Sequence, residues 1–310
     1  MSEHHDLSVT IAGLRLKNPV IASSGTFGYG SEYAQTIDIG RLGGICTKGL
    51  TLHPRQGNTG IRLWETPSGL LNSIGLENPG IEAFINNELP RMRMLGTAII
   101  ANLSGFSVED YVEGAALLDA SSVDMIELNI SCPNVKAGGM AFGLAPDAAA
   151  AVVTPVRKAA KNKPLMVKLS PNAPDLIAVA HACINAGADA VSLVNTFKAM
   201  AIDVQNRRPV FDNISAGLSG PAIKPIALRM VWELCAEIAP VPVVGMGGIA
   251  TANDALEFLM AGATAVQVGS ATFAHPPAMI DIIEGIQQHM HEKALATIGN
   301  IALRKLGNRD

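Results

Sequence analysis

Two lysines close short apolar runs, in Ile45-Cys46-Thr47-Lys48-Gly49 and Leu165-Met166-Val167-Lys168-Leu169. An ammonium at the end of a buried strand is costly unless something anionic meets it. Either lysine alone is as readily a snorkelling or salt-bridged side chain. As a pair facing one mouth, they fit charge developing on a bound ligand. Lys168 also admits a second chemistry, because a desolvated lysine can form a Schiff base, as in an aldolase-like lyase. A third reactive group is Cys132, in Asn129-Ile130-Ser131-Cys132-Pro133-Asn134, followed by the glycine-rich stretch 135–143. That stretch has the composition of a lid. A lone cysteine is more often a small buried hydrophobe, and its place between a strand end and this stretch raises the case for catalysis. Cys46, Cys183 and Cys235 fall inside a strand and two helices and are assigned to packing.

Glycines and amides complete the set. Gly247-Gly248 and Gly269-Ser270 follow the last two apolar runs, and Ser219-Gly220 precedes a helical stretch near Pro221. Glycine lets backbone N–H groups approach an anion, and a following helix adds a favourable dipole, so the three together suggest a phosphorylated ligand. Any one pair alone is more simply a tight turn. Asn72, Asn129, Asn134 and Asn195 offer fixed donor and acceptor forks suited to a planar ring with alternating C=O and N–H groups.

These residues need a scaffold that brings them to one place. About eight short apolar runs, at 19–24, 44–49, 97–103, 125–131, 165–170, 190–195, 242–246 and 265–269, alternate with helical patterns. That is the pattern of a (β/α)8 barrel, whose site lies at the C-terminal strand ends, where Ser24, Lys48, Asn102, Asn129, Lys168, Asn195 and Thr196 fall. Between the last two runs, Thr251 with Asp254 three residues on caps a helix that Gly262 ends. Residues 7–17 alternate around Ala12-Gly13 and predict a hairpin plugging the barrel bottom. Connections 50–76, 133–146 and 196–221 are too long for plain βα loops, and such loops usually carry function. No linker divides residues 1–310, so one barrel domain is expected.

Composition narrows the classes. With 48% hydrophobic but only 4% aromatic residues, the core must be aliphatic, which suits covered parallel strands. The formal charge of -4 has no basic tract behind it, which argues against nucleic acid. The apolar runs are too short to span a bilayer, and a cytoplasmic protein is expected, with no membrane association. The four cysteines are dispersed, so no metal or iron–sulfur cluster is expected on this chain.

Six segments carry a family resemblance: Thr47-Lys48-Gly49, the run from Asn72 to Gly80, the Asn129 to Asn134 motif, Val167-Lys168-Leu169-Ser170-Pro171-Asn172, Gly217-Leu218-Ser219-Gly220-Pro221 and Gly247-Gly248-Ile249. In this order and spread, the chain resembles the class 1 dihydroorotate dehydrogenases. Cys-Pro-Asn-Val-Lys with Gly-Gly-Met-Ala-Phe-Gly resembles the NAD-linked B type more than the fumarate-linked A type. The resemblance implies oxidation of dihydroorotate to orotate in pyrimidine biosynthesis, with FMN as cofactor. FMN would be held by Ser24, Lys48, Gly49, Asn102, Asn129, Lys168 and Val194, with its phosphate near Gly220, Gly247, Gly248, Gly269 and Ser270. Substrate would meet Lys48, the run Asn72, Ser73, Ile74, Gly75 and Leu76, then Asn129, Asn134, Asn195 and Thr196. Cys132 would be the base, with Lys48 and Lys168 assisting. It also implies a partner subunit with FAD and a 2Fe-2S cluster, in an assembly of two catalytic and two electron-transfer subunits. Ser73, Glu77 and Ala216 depart from the Ala, Gln and Gly expected there. The alternatives are an A-type enzyme, a dihydropyrimidine dehydrogenase-like module, the lyase, and a non-catalytic flavin-binding scaffold.

Overall fold

The computed structural model describes residues 6–131 and 142–303. Eight parallel strands close into a barrel in chain order: β1 (Val20–Ala22), β2 (Gly44–Cys46), β3 (Ala98–Leu103), β4 (Met125–Asn129), β5 (Leu165–Lys168), β6 (Ala190–Leu193), β7 (Val243–Met246) and β8 (Ala265–Val268). All eight expected runs become barrel strands, each trimmed at one end or both. Helices α1 (Val108–Ala120), α2 (Pro146–Ala159), α3 (Leu176–Asn185), α4 (Lys224–Ile238), α5 (Ala252–Met260) and α6 (Ala278–Glu292) follow β3 to β8 in turn. The repeat is incomplete at its start. After β1 come only two 3-10 turns, Ser31–Tyr33 and Ile39–Arg41. After β2, the helical residues 81–93 are interrupted by a π turn at Phe84–Glu88.

The capping box expected for α5 is present, with Asp254 N–H donating to Thr251 Oγ1 and the Asp254 carboxylate accepting from Thr251 N–H. Gly262 follows with φ +108°, a conformation that ends a helix at little steric cost in glycine.

Successive strand residues point to opposite sides, and this alternation builds two different interiors. Outward residues such as Ile126, Leu128, Val167 and Val266 join the helices in the main aliphatic core. Inward, the bottom of the barrel is an apolar layer of one residue per strand: Ile21, Cys46, Ile100, Met125, Met166, Ala190, Val244 and Ala265. The hairpin Val9–Ile11 with Leu14–Leu16 seals it, inserting Ile11 and Leu16, as the alternation of residues 7–17 predicts. Two positions further along each strand the inward layer becomes polar: Ser23, Lys48, Asn102, Glu127, Lys168, Ser192 and Gln267, with Met246 the apolar member.

Two of the three long connections are not irregular loops. Residues 50–76 contain strands Leu63–Thr66 and Gly69–Asn72, and residues 196–221 contain Phe197–Met200 and Ser215–Ser219. These pair into one antiparallel sheet. The sheet is not legible in the sequence because the pairing that joins its halves, Gly69–Asn72 with Ser215–Ser219, spans 145 residues between Asn72 and Gly217. Its register sets Asn72 opposite Gly217, where the Asn72 amide donates to Gly217 O at 3.2 Å. Leu71, Val210, Phe211 and Ala216 form a small apolar cluster of their own. Ala216 thus packs as an apolar residue with no local penalty. The third connection falls largely outside the described residues.

Candidate active site

At the C-terminal end of the barrel, the strand termini and the antiparallel sheet enclose a cavity of about 310 Å³. Its walls hold most of the residues singled out from the sequence: Ser24, Lys48, Lys168, Val194, Gly220, Gly247, Gly248, Gly269 and Ser270 from the cofactor set, and Asn72, Ile74, Asn195 and Thr196 from the substrate set. The two lysines therefore do share one mouth. Lys168 is 4% exposed, whereas Lys48, just past the end of β2, is half-buried. Leu63, Leu70, Asn72 and Ser219 contribute the sheet face that covers the cavity.

The glycine ends show space and donors for an anion. Gly220, Gly247 and Gly248 adopt φ of +97°, +126° and +74°, a region that side-chain-bearing residues rarely enter. The backbone N–H groups of Gly247, Gly248, Gly269 and Ser270 donate to no protein acceptor among the described residues. N–H groups without a protein acceptor, lining one cavity with two lysines, suit a phosphate and an electron-rich ring. These residues fit FMN.

Asn102 and Asn129 stand beneath the wall and are tied into a directed chain. Asn195 Nδ2 donates to Ser131 Oγ at 2.6 Å, Ser131 Oγ to Asn129 Oδ1 at 2.6 Å, Asn129 Nδ2 to Asn102 Oδ1 at 3.3 Å, and Asn102 Nδ2 to Glu127 Oε2 at 2.6 Å. Each amide has its orientation fixed by the next, which preorganises Asn195 on the cavity wall. Gly49 sits under the same wall, where a Cβ would come within 3.2 Å of both Asn102 Oδ1 and Leu76 Cδ2.

Ser73, Gly75 and Leu76 lie behind Asn72 and Ile74 rather than on the cavity wall. There they shape the loop: Asn58 Nδ2 donates to Ser73 Oγ at 3.0 Å, and Asn58 N–H donates to Ile74 O at 2.9 Å. The serine at 73 thus gains a partner that alanine would lack. Glu77 pairs with Arg62, whose hydrogen bond and charge hold the carboxyl below its usual range. Cys132 and Asn134 lie outside the described residues.

The chain of amides ends on a residue that the sequence reading missed. Glu127 is fully buried inside the barrel. Its carboxylate accepts from Cys46 Sγ (3.1 Å), Asn102 Nδ2 (2.6 Å), Ser192 Oγ (2.8 Å) and Gln267 Nε2 (2.7 Å). Burial alone would raise its pKa. The charge of Lys168 and the bonds from Cys46, Ser192 and Gln267 outweigh that and hold Glu127 below the usual carboxylate range. The signal was present as a Glu amid the buried strand Met-Ile-Glu-Leu-Asn, on the same face as Met125 and Asn129.

Cys46 is accordingly more than a packing residue. Burial, and next the neighbouring Glu127 charge, push its thiol well above the normal value, so it remains a protonated donor. Cys183 and Cys235 are packing residues as expected, and burial raises each to about 12. Among the described residues no cluster of His, Cys, Asp and Glu suits a metal ion, and no helix is long and apolar enough to cross a membrane.

Comparison with known proteins gives the family. The dihydroorotate dehydrogenase family profile matches residues 6–290. A relative from Petrotoga mobilis, named dihydroorotate dehydrogenase B (NAD(+)), catalytic subunit, is 54% identical over 96% of this chain and 98% of its own length. Proteins of the same name from Geotalea uraniireducens (54% identical, covering 94% of this chain and 96% of theirs) and Caldicellulosiruptor bescii (53%, covering 94% and 97%) match comparably. With a family match over most of its length and relatives above half identity from end to end, the chain belongs to the dihydroorotate dehydrogenase family.

Proposed function

We propose that this chain is the FMN-carrying catalytic subunit of a B-type dihydroorotate dehydrogenase, oxidising (S)-dihydroorotate to orotate in pyrimidine biosynthesis. The observation that carries the proposal is one cavity in which two lysines meet the unmatched N–H groups of Gly247, Gly248, Gly269 and Ser270. The relatives' printed name supplies the reaction and the electron acceptor.

In this reading, FMN held by these residues would supply the hydride acceptor. The chain's residues do the rest. Gly220, Gly247, Gly248, Gly269 and Ser270 hold the phosphate, while Ser24, Gly49, Asn102, Asn129 and Val194 border the rest of the cofactor. Lys48 and Lys168 meet negative charge as it accumulates. Asn72, Asn129, Asn134, Asn195 and Thr196, with the loop from Ser73 to Leu76, orient the substrate ring. Cys132 removes the proton from C5 as hydride leaves C6, which balances the conversion of a CH–CH bond to C=C. The Schiff-base alternative finds no support in the relatives, whose printed name is that of a dehydrogenase.

The electrons leave through a second subunit that carries FAD and a 2Fe-2S cluster, in an assembly of two subunits of each kind. No run in this chain combines a strand, G-x-G-x-x-G and a helix to offer NAD a pyrophosphate site. The purified chain should be yellow and bleach anaerobically with dihydroorotate, yet form little NADH until the partner is added. Failure to bleach overturns the reaction, robust NADH formation by the chain alone overturns the two-subunit arrangement, and rapid turnover with fumarate assigns it to the A type.

A further inference from the structure

A full carboxylate inside a barrel is a costly choice unless its charge is used. Glu127 has no solvent exposure, and its bonds draw on side chains from four other strands: Cys46 on β2, Asn102 on β3, Ser192 on β6 and Gln267 on β8. All four are donors with no charge of their own, so none compensates the carboxylate electrostatically. The nearest cation on an adjacent strand is Lys168 on β5, opposite Asn129 in register and two positions above the apolar layer, with its ammonium on the cavity wall. Among the described residues Lys168 forms no ion pair closer than 4.0 Å and donates no hydrogen bond, while its charge acts on Glu127.

We propose that Glu127 is a positioning residue: clamped by four strands, its carboxylate is the buried counter-charge that keeps Lys168 an ammonium aimed into the cavity, toward the electron-rich ring of the cofactor. The other titratable groups facing Lys168 among the described residues cannot do this. Cys46 is a protonated thiol in contact with Glu127, and Lys48, which shares the cavity, is a like charge that opposes a second ammonium. Without Glu127, a lysine 4% exposed would meet only desolvation and a neighbouring cation, and both favour its neutral form. The same clamp fixes the amide plane of Gln267. Its nitrogen must face the carboxylate, which leaves Gln267 Oε1, buried and unpartnered, as an acceptor at the cavity wall.

The consequence for the cofactor rests on the FMN proposal, whereas the coupling of Glu127 to Lys168 does not, and two measurements separate them. FMN binding to the apo chain, followed by quenching of flavin fluorescence, should be nearly flat for the wild type between about pH 6 and 9. Glu127→Gln should approach wild-type affinity at the acidic end and weaken by about tenfold or more toward the alkaline end. Glu127→Asp keeps the charge and should restore a flat profile. Parallel profiles for wild type and Glu127→Gln would overturn the proposal. Thermal unfolding of the apo chain needs no FMN. Lys168→Met strands a buried carboxylate and should destabilise the chain, and adding Glu127→Gln should recover part of the loss. A double variant no more stable than Lys168→Met overturns the coupling, including the case in which Glu127→Gln alone does not fold. A wild-type chain that binds no FMN refutes the cofactor while the unfolding cycle still decides the pair.

Discussion

Gly269→Ala separates a glycine needed by a ligand from one needed by the fold. Gly269 continues the inward face of β8 after Ala265 and Gln267, so an added methyl enters the cavity. Its φ lies outside the left-handed region, and an ideal Cβ would stand 3.5 Å from Ser23 Cβ and 3.6 Å from Thr26 Cγ2, which are ordinary contacts. The protein itself therefore tolerates alanine. The apo chain should gain about 0.4–1 kcal/mol, because the unfolded state loses freedom. A phosphate drawn against this backbone would instead meet the methyl, and overpacking of that kind costs about 1–3 kcal/mol. FMN affinity should then fall roughly 5- to 150-fold. Gly248→Ala is the contrasting case, since φ is +74° and its Cβ would lie 2.7 Å from Gly220 O and 2.9 Å from Lys224 N. That substitution should lower apo stability as well as affinity. Differential scanning fluorimetry of apo protein and a fluorescence titration with FMN give both quantities. Unchanged FMN affinity in a folded Gly269→Ala chain would falsify the phosphate placement, and a large loss of apo stability would refute the packing argument.

Two further outcomes are expected. Cys132→Ala should retain FMN yet slow dihydroorotate-driven bleaching by roughly 10²- to 10⁴-fold, the usual worth of a general base, and normal single-turnover reduction would remove Cys132 from that role. Acidification should destabilise the apo chain through carboxyls whose pKa values the fold depresses, Glu127, Asp119 and Asp254 among them. Burial opposes ionisation at Glu127, Asp119 and Asp254, but it is outweighed at Glu127 by Lys168 and its donors, at Asp119 by Asn162 and Lys163, and at Asp254 by Lys224. A depressed pKa gives stability that is complete above the unfolded value, near about 4, and lost as pH falls through the folded one. Unfolding midpoints should therefore drop below about pH 4, and Asp119→Asn, which removes one of these groups, should reduce the drop. Equal pH dependence in that variant would show that Asp119 contributes nothing.

The sequence by itself determined the barrel, because near-continuous aliphatic runs such as Leu165–Lys168 and Ala190–Leu193 must be covered on both sides, and the patterns between them supply the helices. Local chemistry also carried the hairpin plug and the Thr251 capping box, since both depend on neighbours within a few residues. It located Lys48, Lys168 and the paired glycines at one mouth, because position at a strand's C-terminal end is a local property in this fold. Tertiary structure decided what depends on register between distant segments. Only closure of the barrel brings Cys46, Asn102, Ser192 and Gln267 onto Glu127, and only the pairing of Gly69–Asn72 with Ser215–Ser219 makes a cover from two long connections. Glu127 looked like a lone acid in an apolar strand because a charge is understood from what surrounds it, and its surroundings come from five other strands.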